Sequence, residues 1–230
     1  MQNRKGHQIV YFDREGRGNL PEVIRVIKQK LKSREELRNL KLIVFTKEGE
    51  GALMAYQYLG EYDIKIIAVT FPVRFSAKQK DGTEIRPQIP PKLKKFFDGV
   101  EIKVIAPATL PLDTIAGLEG HNQQVKLVRD TIAIFGGGFA GCIQAVLAAC
   151  DLGEVELGEP VIAMSGDCAA IITASTTSKF LTKDGISINE IFCKPRTLTI
   201  ARPAPAPKPM VIEQQSEISN VKTIRGESKP

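Results

Sequence analysis

Leu42-Ile43-Val44-Phe45-Thr46-Lys47-Glu48-Gly49-Glu50-Gly51-Ala52-Leu53 decides how this chain reads. Four apolar residues run without alternation, as expected of a strand buried on both faces. A short polar, glycine-containing loop follows. Ala52, Ala55, Tyr56 and Leu59 then recur at helical spacing, and Gly60 is a natural stop. Strand, loop and helix in immediate succession form the repeating unit of a parallel sheet carrying helices on its faces.

The same alternation extends in both directions. Ile66-Ile67-Ala68-Val69, Ile102–Ile105 and Val161-Ile162-Ala163-Met164 read as further buried strands, and Ala169–Ala174 as a fifth. Upstream, Val10-Tyr11-Phe12 reads as a short edge strand. Asn19, Pro21 and Glu22 read as a helix start with a capping box, and Ile24, Ile27 and Leu31 extend that helix over 20–37. Residues 71–91 form a long polar connection, and a short helix covers 91–98. A helix-rich stretch spans 122–151, interrupted at Gly136-Gly137-Gly138. Within it Val125, Val128, Ile132 and Phe135 share one face before the break. The expectation is an α/β/α sandwich of three layers around a mostly parallel five-stranded sheet. It occupies residues 1–201, and a Pro/Ala-rich tail, 202–230, is expected to lie outside the core and to be disordered.

Composition narrows the function. The chain has 230 residues, 43 % apolar and 25 % charged, which excludes a wholly disordered protein. Its net charge of +6 is spread over many positions, and aromatics are 6 % with no Trp, so a nucleic-acid partner is not expected. Lys92, Lys94 and Lys95 beside Phe96 and Phe97 fit an amphipathic surface helix better than a nucleic-acid patch. No apolar run reaches membrane-spanning length and the amino terminus lacks a signal-peptide core, so a soluble cytoplasmic protein is expected. Cys142, Cys150, Cys168 and Cys193 contain no C-x-x-C pair. His7 and His121 stand alone, and no metal site is expected.

Three segments carry candidate chemistry, because ligands of open α/β sheets bind beyond the carboxyl ends of the strands. In the first, Thr46 offers a hydroxyl and Lys47 a cation, and Gly49 and Gly51 let backbone N–H groups approach a phosphate. It matches neither a Walker loop nor a dinucleotide fingerprint. Glu48 and Glu50 complement the helix dipole without any ligand, so an ordinary helix start is the competing reading. In the second, Gly136 to Gly138 admit either a tight helix–helix turn or a ligand against bare backbone. The third, Ser165-Gly166-Asp167-Cys168, offers a hydroxyl and a carboxylate, and equally suits a plain turn. No nucleophilic triad assembles, and nothing selects Asp113, Glu119, Asp130 or Asp151 as a general acid.

The order of four stretches resembles a family. YFDREGRGNLPEV, IVFTKEGEGALMA, IFGGGFAGCIQAVLAACDLGEVELGEPVIAMSG and EIFCKPR, within residues 10–200, resemble the stand-alone prokaryotic proteins similar to the carboxyl-terminal domain of pyruvate kinase. That resemblance implies the sandwich fold and a small phosphorylated ligand, with flavin mononucleotide (FMN) as candidate cofactor. Carried over by position, the phosphate loop is Thr46, Lys47, Gly49 and Gly51. The walls come from Thr70, Phe71, Thr109, Gly136, Gly138, Ser165 and Gly166. Three departures stand out. Lys47, Glu48 and Gly51 replace Ser and Thr of the family loop, Thr70–Phe75 replaces a histidine-containing segment, and Ser165–Cys168 shortens a glycine-rich loop. The chain has no room for the catalytic barrel, so pyruvate kinase activity is not expected.

The sequence thus points to a ligand-binding domain. Two alternatives stay open: a flavin-dependent or phosphometabolite-processing enzyme, and a regulatory or interaction protein that has lost the pocket. The expected partners are the small phosphorylated ligand, a second copy of the chain, or a protein captured by the 202–230 tail.

Overall fold

A computed structural model of the chain describes residues 8–78, 82–114 and 123–197. In chain order the strands are β1 (Val10–Arg14), β2 (Leu42–Phe45), β3 (Ile66–Val69), β4 (Ala77–Lys78), β5 (Glu84–Ile85), β6 (Lys103–Ile105), β7 (Pro160–Met164), β8 (Ala169–Thr173) and β9 (Ser187–Thr197). The helices are α1 (Leu20–Ser33), α2 (Glu50–Leu59), α3 (Pro91–Gly99), α4 (Pro111–Thr114), α5 (Gln123–Ala133) and α6 (Gly137–Asp151). Seven strands form one sheet in the order β1-β9-β8-β7-β2-β3-β6, while β4 and β5 make a separate antiparallel pair.

The expected mostly parallel sheet is present, but it has seven strands where five were expected. The sheet is parallel from β7 through β2 and β3 to β6, and parallel again between β1 and β9. β8 runs antiparallel to both neighbours. Its direction follows from chain length. Only Ser165–Cys168 separates β7 from β8, too few residues for a parallel crossover. The Ser165 N–H closes that turn on the Cys168 carbonyl at 2.9 Å.

β9 is the strand that periodicity does not reveal. Ile188 pairs with Ile172, and Ile191 with Ala170, so two apolar residues an odd number of positions apart reach the same sheet face. Register shifts against β8 make this possible, and each one breaks the period-two pattern. Beyond Cys193 the strand has left β8 behind and pairs with β1 alone. There Pro195, with no N–H to donate, is tolerated.

Helices cover both sheet faces. On one, α1 inserts Val23, Ile27 and Leu31, and α2 and α3 add Ala55, Leu59 and Phe97, against Leu42, Val44, Ala68, Ile162 and Phe192. On the other, α6 packs on Ile43, Ile67, Val161, Ala163 and Ala170. Phe139, Cys142, Val146, Leu147 and Cys150 of α6 are all buried, each large apolar side chain contributing about 1.5–3 kcal/mol by leaving water. The helix lies close to β2 because a Cβ on Gly141 would come within 2.5 Å of the Phe45 ring.

Local structure differs from expectation in several places, and the 71–91 segment expected as a plain connection carries the β4–β5 pair. α1 ends at Ser33 and a 3-10 turn, Glu35–Asn39, takes over, because Arg34 is extended. Asn19 makes no side-chain cap; its amide donates instead to the Arg14 carbonyl at 2.8 Å. In α5, Val128 and Ile132 do pack inward, but Phe135 lies beyond the helix end and is 41 % exposed. The 202–230 tail lies outside the described residues.

Candidate functional site

Strand order reverses at β2. From there the chain moves outward to β3 and β6, then returns to place β7 on the other side. In open α/β sheets such a point leaves a crevice beyond the strand carboxyl ends, because successive helices leave on opposite faces. Here Thr46 follows β2, Thr70 follows β3, Ser165 follows β7, and the amino end of α6 lies nearby.

The loop after β2 is tightly bonded. Buried Thr46 continues the ladder through its N–H to the Val69 carbonyl at 2.9 Å. Its hydroxyl oxygen accepts the N–H groups of Gly49 and Gly51 at 3.0 and 3.4 Å, and the same hydroxyl donates to Glu50 Oε2 at 3.0 Å. Glu50 Oε2 also accepts the Glu48 N–H at 3.0 Å. The first residue of α2 therefore turns its carboxylate back over the loop and takes the Thr46 hydroxyl and the Glu48 N–H as donors. Lys47 is half-buried, with its ammonium 3.6 Å from Glu48, and its carbonyl accepts the Thr70 hydroxyl at 3.1 Å.

The two loop glycines answer to packing. Gly49 has φ +93°, a left-handed conformation, and a Cβ there would lie 2.7 Å from Leu93 Cδ2 of α3. At Gly51 a Cβ would lie 3.0 Å from Val44. Both glycines thus face neighbouring side chains of the protein itself.

A second carboxylate stands at the amino end of α6. Asp167 is 5 % exposed. Its Oδ2 accepts the Gly16 N–H at 2.7 Å, and its Oδ1 lies 3.3 Å from Cys168 Sγ and 3.5 Å from Ser165 Oγ. Gly138, in the first turn of α6, has no room for a side chain: a Cβ would lie 1.8 Å from Asp167 Oδ1 and 2.6 Å from Ser165 Oγ. An acid in this place complements the helix dipole. Gly166 backs onto the turn after β1, where its Cβ would meet Arg17 Cα at 3.1 Å. Gly136, φ +112°, supplies the bend into α6.

Thr46, Thr70, Gly138, Ser165 and Gly166 thus gather at one edge of the sheet. Phe71 joins them through its ring, 5.1 Å from Phe45 and 4.7 Å from Phe75. Thr109 is exposed in the connection between β6 and α4. Asp167, which organises the α6 end, reads from the sequence as a carboxylate of a strand-end loop that suits a site or a plain turn equally. Its signal was a carboxylate beside a glycine between two buried strands.

The thiols around this site are buried. Burial pushes Cys142 and Cys168 well above the ordinary thiol range, and pushes Cys193 up to about 12. Thiolate chemistry at neutral pH is thereby disfavoured. Among the described residues no group of three or more His, Cys, Asp or Glu is placed to hold a metal ion. His7 and His121 lie outside the described residues.

Two clefts open elsewhere. One, of about 820 Å³, lies at the amino ends of β3 and β6 between Tyr56, Lys65, Glu101 and Lys103. The other, of about 640 Å³, follows β1 and the turn after it. Neither contains a residue of the predicted ligand loop. Among the described residues no helix is long and apolar enough to cross a membrane. No family model matches the chain.

Proposed function

We propose that this chain is a non-catalytic binding domain for a small phosphorylated ligand, with FMN as the candidate, received at the carboxyl edge between β2 and β7. One observation carries the reading. The point where strand order reverses brings together Thr46, Gly138 and Ser165, three candidates that the sequence expects near strand ends, with Thr70, which the resemblance adds. The five strands β6-β3-β2-β7-β8, parallel but for the last, also suit the sheet implied by the likeness to the pyruvate kinase carboxyl-terminal domain. In this reading Glu50 is the group a phosphate displaces. The Thr46 hydroxyl and the Glu48 N–H then turn from one anion to another.

The absorbance spectrum of protein purified without added cofactor, followed by calorimetry with FMN, tests it. A flavin spectrum, or saturable heat that is lost in Thr46→Ala and Lys47→Ala, supports the reading. A colourless protein that takes up neither FMN nor inorganic phosphate refutes it.

A second reading has its own observation. Both helix amino ends at the edge already hold a protein carboxylate, Glu50 at α2 and Asp167 at α6. That arrangement suits a regulatory or interaction domain whose anion sites are filled from within. Its mark is an unfolding temperature that no phosphorylated metabolite raises.

A further inference from the structure

β1 is one of the two edge strands of the sheet. β1 pairs with β9 on one side, and among the described residues no strand lies on the other. Among the described residues no strand takes the backbone groups of alternate residues on that side, and a free edge is a template for another strand. The groove of about 640 Å³ takes its walls from residues 11–16, Gly18 and Asn19, with none from β9. It therefore lies on the outer side of β1.

Charge along this edge is unbalanced within one chain. Tyr11 is 45 % exposed and lies between two cations, its ring 5.2 Å from the Arg196 guanidinium and 5.8 Å from the Lys194 ammonium. Neither cation makes an ion pair among the described residues, and neither does exposed Asp13. Alternation puts Tyr11 and Asp13 on one face, and Phe12, which is buried in the core cluster that α1 joins, on the other.

We propose that this edge pairs with the same edge of a second copy, antiparallel about a two-fold axis through Phe12. A two-fold normal to the sheet keeps each face on its own side, so only residues of like parity oppose one another. Centring on Asp13 would oppose two aspartates, and centring on Arg14 two arginines. Centring on Phe12 places Tyr11 opposite Asp13 of the partner subunit, and Val10 opposite Arg14 of the partner subunit. It uses all five residues of β1 and opposes no like charges. Each unpaired aspartate then faces the partner's tyrosine and the two cations that hold it. A contact of one short strand is smaller than a standard interface, so the dimer is weak and reversible.

Sedimentation velocity of the full chain over about 5–500 µM tests the pairing. The expected result is a monomer–dimer equilibrium, weakened about tenfold or more in Asp13→Lys, which sets a lysine among the partner's cations. Cysteine cross-linking tests the register. The native thiols are all buried. A mixture of Tyr11→Cys and Asp13→Cys chains should cross-link on mild oxidation, and either alone should not. A wild-type chain that stays monomeric throughout overturns the proposal, as do a dimer indifferent to Asp13→Lys and Tyr11→Cys chains that cross-link alone.

Discussion

At the amino end of α2 the carboxylate of Glu50 folds back onto Thr46 and Glu48, all within five residues of chain. At the amino end of α6 the carboxylate of Asp167 is bound by Gly16, 151 positions away, and roofed by Gly138. Glu50 is half-buried and Asp167 is buried. The first closure is local, so it can open without disturbing the core. The second ties the turn after β1, the β7–β8 turn and α6 into one unit, so opening it loosens three elements. In the proposed function it is therefore the α2 end that exchanges its carboxylate for a ligand.

That contrast can be broken most severely at Gly138. Gly138→Ala drives a methyl into Asp167 and Ser165, and we expect a loss of about 3 kcal/mol, read as a lower urea midpoint at unchanged slope. Adding Asp167→Gly should recover part of that loss, since the two positions touch. Strict additivity would mean that the contact is not what excludes the side chain. Asp167→Ala alone leaves the Gly16 N–H without its partner and should cost about 2 kcal/mol. Asp167→Asn, which keeps an acceptor, should cost less. Equal losses in the two variants would remove the hydrogen bond from the account.

At the α2 end the expected effects are smaller. Gly49→Ala asks a residue with a Cβ to hold φ +93° against Leu93, and should cost about 1–2 kcal/mol. Glu50→Gln should change stability by about 0.5 kcal/mol or less, because it keeps an acceptor on the loop. If Glu50→Gln proved as costly as Gly138→Ala, the two closures would not differ in kind.

A pH measurement sharpens the contrast from outside the site. Glu190 of β9 is bonded to Arg34 and to Lys30, the latter at 3.0 Å, fastening β9 to the end of α1. Burial raises its pKa, but the Arg34 and Lys30 hydrogen bonds outweigh that and hold it below the ordinary 4.5. A carboxylate with a depressed folded pKa stabilises above its unfolded value and loses that stabilisation as pH falls through the folded one. Wild type should therefore lose stability below about pH 4.5 more steeply than Glu190→Gln, by about 1 kcal/mol or less. Parallel acid limbs would show that the triad contributes nothing.

Much of this fold was legible. Unbroken apolar runs such as Leu42–Phe45 and Ile66–Val69 mark strands covered on both faces, and spacing alone finds them. β9 was not legible, because register shifts scramble its alternation and Pro195 argues against a strand. The Thr46 loop could be read as a junction, but not the direction in which Glu50 points. Asp167 was hidden for another reason. Its partners Gly16 and Gly138 come from distant parts of the chain, and only the sheet brings them together.

The exchange of anions at the α2 end is the centre of the functional account, and flavin fluorescence titration reaches it most directly. Wild type, Glu50→Gln and Thr46→Val should be titrated with FMN side by side. The account predicts saturable quenching in wild type, about tenfold tighter binding in Glu50→Gln, where a competing charge is gone, and weaker binding in Thr46→Val. No quenching in any of the three, or the same affinity in all, would contradict it.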